Sequence, residues 1–160
     1  MSTSSRSVAI LAGLFVVVVA CNPIFDTGVT NTGAYNNLVV KIQVNRSFAR
    51  VGESLQIRLT TINDANQPIV IESKDKFVLD IIVEDLGNRQ ILTSWSAQNP
   101  DKATHRIEWK PGETKTMEID WVPRPEENDR VVGIVGILSE ASKIRQAPSV
   151  LIHVTDPHPR

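Results

Sequence analysis

Residues 38–155 predict an all-β domain, an antiparallel sandwich, and three observations predict it. Apolar residues recur at every second position in four separate segments, which is the signature of half-buried strands and not of helices. Turns bearing Gly, Pro and Asn divide the chain at roughly ten-residue spacing, with no amphipathic helix between them. About 120 residues suffice to bury one core, so a single domain is expected.

Taken from the N-terminal side, Leu38, Val40, Ile42 and Val44 share one face of a strand, with Val39, Lys41 and Gln43 opposite. Leu55, Ile57 and Leu59 oppose Gln56, Arg58 and Thr60. Phe77, Leu79, Ile81 and Val83 oppose Val78, Asp80, Ile82 and Glu84, and Met117, Ile119 and Trp121 oppose Thr116, Glu118 and Asp120. A slip of one residue in any of these registers would turn charges inward. Shorter strands are expected over Pro68–Glu72, Gln90–Ser96, Thr104–Trp109, Val131–Leu138 and Val150–Val154, and a helical turn over Glu140–Ile144; that makes roughly eight or nine strands. Asp85-Leu86-Gly87-Asn88 reads as a hairpin turn. Lys110-Pro111-Gly112-Glu113 reads as a type II turn, in which Pro fixes the first central φ and Gly supplies the positive one. Trp109, Trp121 and Trp95 fall on apolar registers and read as core; an exposed Trp95 would instead be a binding anchor.

Ahead of the domain, Val8–Ala20 is an uncharged apolar run of 13 residues behind a head that carries only Arg6. A membrane-spanning helix needs about 20 such residues, whereas a run of about 7 to 15 behind a basic head marks a signal peptide. The closing residues VVAC resemble a bacterial lipobox, the motif of lipoproteins. That resemblance implies cleavage before Cys21, the only cysteine of the chain, and a diacylglycerol thioether on it. Two acyl chains contribute on the order of 20 kcal/mol of gross transfer energy, enough for stable anchoring. The expected organisation is a signal peptide over 1–20, a flexible Asn-, Thr- and Gly-rich tether over 21–37, the sandwich over 38–155, and a tail over 156–160 in which Pro157 and Pro159 stop any strand. The expected location is a bacterial membrane, facing the periplasm or the exterior.

Loss of residues 1–20 leaves 16 basic against 18 acidic residues, well interspersed, whereas a nucleic-acid surface needs a basic excess. With Cys21 acylated, no thiol remains for a disulfide, so stability falls to the core. His105, His153 and His158 lie in separate segments, none beside a nucleophile motif. No spacing of His, Cys and carboxylates suits zinc. Asp64-Ala65-Asn66 and Glu126-Glu127-Asn128-Asp129 lack the ligand density and Gly of a calcium loop and read as solvated turns. No catalytic residue, cofactor, metal or small-molecule substrate is evident.

One longer pattern spans Phe77 to Trp121: "FVLDIIVEDLGNRQILTSWS" followed by "IEWKPGETKTMEIDW". Its aromatic-led strand (Phe77), acidic residue before a Gly turn (Asp85, Gly87), Trp-Ser pair (Trp95, Ser96), Pro-Gly-Glu turn (Pro111, Gly112, Glu113) and closing Trp121 resemble the BsuPI family of bacterial intracellular proteinase inhibitors. The resemblance implies an immunoglobulin-like sandwich and, as a possible activity, proteinase inhibition. The chain departs from the family in its export signal, and in AQNPDKATHR after Trp95-Ser96, where a Phe-Thr-Gln pattern is usual. The matching positions are turn formers and core aromatics, a scaffold and not a reactive site.

The expected function is therefore non-catalytic recognition by a lipid-anchored envelope protein, with the membrane reached through lipid on Cys21 and the working surface in a loop cluster at one end of the sandwich. Ser96–Thr104 is the longest polar connection that contains a proline. Within it Gln98, Asn99, Pro100, Asp101 and Lys102 form the candidate binding loop. Two alternatives stay open. One is an envelope proteinase inhibitor, whose loop would lie extended in a protease cleft and offer Lys102 to a trypsin-like pocket. The other is an accessory subunit of an envelope complex.

Overall fold

Alternating burial organises the chain into strands whose apolar sides face each other across one core. The computed structural model describes residues 28–156, so Cys21, the signal segment, residues 21–27 and residues 157–160 lie outside the described residues. The strands are β1 (Val29–Tyr35), β2 (Leu38–Val44), β3 (Phe48–Arg50), β4 (Leu55–Asn63), β5 (Ile69–Glu72), β6 (Leu79–Asp85), β7 (Gln90–Ser94), β8 (Arg106–Trp109), β9 (Thr114–Trp121), β10 (Val131–Glu140), β11 (Lys143–Gln146) and β12 (Ser149–Thr155), with one α-helical turn, α1 (Trp95–Gln98), and a 3-10 turn over Pro125–Glu127.

The first sheet runs β1-β2-β4-β9. The second runs β3-β12-β10-β6-β7, with β11 paired to the far part of β10, and β5 and β8 form a separate ribbon. The chain visits the second sheet for β3 between β2 and β4, and changes sheet again between β4 and β6, between β7 and β9, and between β9 and β10. That order, with β2-β4-β9 facing β12-β10-β6-β7, is an immunoglobulin-like sandwich. The pairs are antiparallel except β3 with β12, which is parallel. Between the sheets, Val40 and Ile42 of β2, Ile57 of β4, Ile81 and Val83 of β6, and Ile134 of β10 are wholly buried. Gly136 of β10 brings the sheets together: a Cβ there would lie 2.4 Å from Leu59 Cδ1 and 3.4 Å from Ile42.

All three tryptophans are core. Trp109 is inaccessible, Trp121 is 5% exposed and Trp95 9%, so Trp95 is no surface anchor. The turn over Asp85–Asn88 joins β6 to β7 as expected. The Lys110–Glu113 turn closes through the Glu113 amide donating to the Lys110 carbonyl at 3.0 Å, with Gly112 at φ +69°.

Several expectations are corrected. The tether assigned to 21–37 is structured from Val29 onward: Val29–Tyr35 is β1, in register with β2 from Val29 opposite Val44 to Tyr35 opposite Leu38. Asn36 and Asn37 make the turn with φ of 47° and 63°, the two positive values that a type I′ hairpin requires. β1 lacks alternation because other elements fill its inward side. The Gln146 side chain occupies the space beside Gly33, and the Tyr35 hydroxyl donates to Glu140 at 2.7 Å.

The strand drawn from Phe77 begins at Leu79 instead. Val78 and Leu79 are both buried, and Phe77 stacks outside the strand on His105 with ring centroids 5.0 Å apart. The strand over Gln90–Ser96 stops at Ser94, whose Oγ accepts the Ala97 amide at 3.1 Å and caps α1. The segment Glu140–Ile144 is a hairpin and not a helical turn, with Ala141 and Ser142 at φ 47° and 70°. β3 and β11 add strands to those expected.

Candidate binding surfaces

The positions that carry the family resemblance are joints of the scaffold. Asp85 is 3% exposed; its carboxylate accepts the Gly87 amide at 2.8 Å and pairs with Arg130. Those two partners hold its carboxyl below the usual carboxylate range. The link ties the β6–β7 turn to the start of β10. Ser96 donates its amide (3.0 Å) and its hydroxyl (2.6 Å) to the two carboxylate oxygens of Asp80, which fastens α1 to β6. Glu113 accepts from the Lys115 ammonium at 2.8 Å and the Lys110 amide at 2.7 Å, and both lower its pKa. Asn63, fully buried, completes this corner: its side-chain amide donates to the carbonyls of Gln67 and Lys110 at 2.8 and 3.0 Å, and its oxygen accepts the Ala65 amide at 2.9 Å. The Asp64–Asn66 loop is thus an Asx-type turn. Glu127, 1% exposed, is likewise consumed by Arg124, accepting from its amide at 2.7 Å and its guanidinium at 2.9 Å. His105, in the bend before β8, and His153, on β12, are both exposed, and His105 Nδ1 is bonded to the Lys76 carbonyl at 2.8 Å.

The candidate loop Gln98–Lys102 is accessible but folded. Gln98 ends α1 and its side chain donates to Thr93 at 3.1 Å. The Asn99 amide donates to Trp95 at 2.9 Å, and the Lys102 and Ala103 amides donate back to Asn99 at 3.0 and 3.2 Å. Pro100, Asp101 and Lys102 protrude as a compact turn, not as the extended strand that a protease cleft would take.

Register places this loop far from where the chain enters the fold. Val29 lies at the end of the sandwich formed by the last residue of β2, the first of β4 and the last of β12. The turns at 36–37, 64–67, 110–113 and 141–142, with the 98–102 loop, stand at the opposite end.

The two outer faces differ in chemistry. On the first sheet, rows run Lys41–Thr60–Thr116 and Gln43–Arg58–Glu118, with Arg58 and Glu118 paired at 2.6 Å. On the second, Val135 lies between Ile82 and Ser149, Gly133 between Glu84 and Leu151, and Ile91 beside Glu84. Leu151 is 62% exposed, Ile91 57%, Ile144 48% and Val131 44%. A solvated antiparallel sheet alternates apolar and polar. β10 does not, because both of its sides are apolar. Sequence reasoning missed this face, although the unbroken run VVGIVGIL at 131–138 is its signal. Among the described residues no group of three or more His, Cys, Asp or Glu side chains could hold a metal ion.

No family model matches the chain. No curated protein matches it either. Among solved structures it is similar to the CARDB domain of the PF1109 protein from Pyrococcus furiosus, at 12% identity over 82% of this chain and 91% of that one, with a TM-score of 0.47. It is also similar to the C-terminal domain of wzt, at 10% identity over 82% and 80% of the two chains, TM-score 0.46. A beta-glucosidase from Listeria innocua is similar at 11% identity over 80% of this chain but 16% of that one, TM-score 0.42. The strand order of this chain is by itself that of an immunoglobulin-like sandwich.

Proposed function

We propose that this chain is a lipid-anchored envelope protein whose immunoglobulin-like domain works by binding another protein and performs no chemistry of its own. The observation that carries the binding part is the apolar outer face of the second sheet, where exposed Ile144 and Leu151 adjoin half-buried Ile82, Val135 and Ile137, against a first sheet whose outer rows are Lys, Arg, Glu and Thr with one half-buried apolar pair, Val39 and Ile62. Contiguous exposed apolar surface on a folded domain marks an interaction site. The lipobox-like VVAC supports the anchor. Cys21 precedes Gly28 by seven positions, and at most about 3.5 Å per residue keeps that end of the sandwich near the lipid. The second sheet's outer face and the distal loops, Gln98–Lys102 among them, are then left open to a partner.

The anchor is tested by fractionation and intact mass. Wild type is expected in membranes with the mass of a chain beginning at acylated Cys21, and Cys21→Ser is expected to leave the membrane and keep residues 1–20. Equal fractionation and equal processing of the two forms would overturn the anchor while leaving the binding face untouched.

A further inference from the structure

Resting on the reading of the second sheet's outer face as a docking surface, we propose that this face holds a receptor for one basic side chain, arginine or lysine, of a partner polypeptide. A cleft of about 290 Å3 opens between β6, β10 and β11. Phe77, Ile82, Ile137 and Ile144 give it apolar walls, and Asp80 and Ser139 bring polar atoms to it.

Charge decides what fits. Asp80 is half-buried, and its oxygens accept only neutral donors: the Ile81 amide at 2.8 Å, the Ser96 amide at 3.0 Å and the Ser96 hydroxyl at 2.6 Å. A carboxylate offers about four acceptor positions, so capacity remains. Among the described residues no cation is paired with it. The Ser139 hydroxyl, on a residue with no exposed surface, has no hydrogen-bond partner. A half-buried carboxylate without an ion pair, beside an apolar wall, repels anions and wastes its charge on a purely apolar group; the one cation in the lining, Lys76, is exposed at the rim. A long apolar stem ending in N–H donors and a positive charge matches both parts. The stem covers Ile82, Ile137 and Ile144 and the head meets Asp80, with the Ser139 hydroxyl sealed beneath the lining. Lys76 lines the same cleft from an exposed position with no ion pair among the described residues; its ammonium opposes a cationic guest and swings to solvent when one binds.

The test uses the full chain in detergent micelles with isoleucine δ1-methyl labels, titrated with three capped tripeptides: Ac-Gly-Arg-Gly-amide, its uncharged citrulline counterpart and its glutamate counterpart. The arginine peptide is expected to move the Ile82, Ile137 and Ile144 methyl signals saturably at a Kd on the order of 1 mM, and the other two peptides are expected to leave them in place. Asp80→Asn should weaken binding about fivefold or more. Because that change also touches the Ser96 bonds, Lys76→Met serves as the independent arm and should tighten binding about twofold by removing a like charge. No movement with arginine, equal movement with citrulline, or weaker binding by Lys76→Met would overturn the proposal. None of these results bears on whether a protein docks on the wider face, which is read separately by crosslinking.

Discussion

Trp109 donates its indole N–H to the Thr61 hydroxyl at 2.9 Å, and neither residue is reached by solvent. Trp109 stands on the β5–β8 ribbon and Thr61 on β4, so this bond fastens the ribbon to the first sheet. Asn63, two residues further along the same strand, does the same for the Lys110–Glu113 turn: its backbone carbonyl accepts the Gly112 amide at 3.0 Å. The ribbon is held by a buried polar strap as well as by packing.

Thr61→Val keeps the shape of the site and removes the acceptor. The indole N–H is left buried and unpaired, at a cost of about 1–3 kcal/mol. In urea titrations followed by tryptophan fluorescence the midpoint should fall with an unchanged slope, and Thr61→Ser should restore most of it. An unchanged midpoint for Thr61→Val would show that the bond contributes nothing.

The Asp85 carboxyl sits below its ordinary range because the Gly87 amide and Arg130 favour the charged form. As pH falls, the unfolded chain therefore takes up its proton first. The stability contributed is present above about pH 4 and is lost as pH drops through the folded value. Glu113, held low by Lys115 and Lys110, and Glu53, held low by Arg46, act in the same sense. Asp85→Asn should lower stability at neutral pH and flatten the acid limb of the stability curve. A mutant curve that stays parallel to wild type between about pH 4 and the lower folded value would contradict this reading.

Ala141 occupies the left-handed region at φ 47°, where a Cβ costs about 1–2 kcal/mol. Glycine removes that cost but adds freedom to the unfolded chain worth about 0.5–1 kcal/mol. Ala141→Gly should therefore gain roughly 0.5–1 kcal/mol, seen as a higher urea midpoint, with Ser142 still donating to Asp75 at 2.7 Å. A lower midpoint would show that the turn is not strained at this position.

What the sequence disclosed follows from which strands carry their burial in their own residues. β2, β4, β6 and β9 alternate because one side faces the core and the other faces water or another polar row, so Leu38 to Val44 or Met117 to Trp121 can be read without a structure. β1 was illegible because Gly33 and Tyr35 are completed by Gln146 and Glu140, more than a hundred residues away in sequence. The turn at 141–142 was misread because neither Ala nor Ser announces a positive φ, as Asn36-Asn37 and Gly112 do. Trp95-Ser96 was drawn as strand because its helical turn depends on the Ser94 cap and on Asp80, sixteen residues back. The apolar outer face was overlooked for a related reason. A run such as Val131–Leu138 reads as fully buried, and only pairing with β12 and β6 shows that Val131, Val135 and Ile137 point away from the core.

That face is open to site-specific photocrosslinking of the full-length protein in intact cells of its host, with a photoreactive residue placed at Leu151 or Ile144 on the second sheet and at Thr116 on the first. The expected result is one adduct of defined mass from Leu151 and Ile144, none from Thr116, and loss of the adduct when Ile137→Asp is added. No adduct from the second sheet, or equal adducts from both sheets, would contradict a binding function for this domain's apolar face.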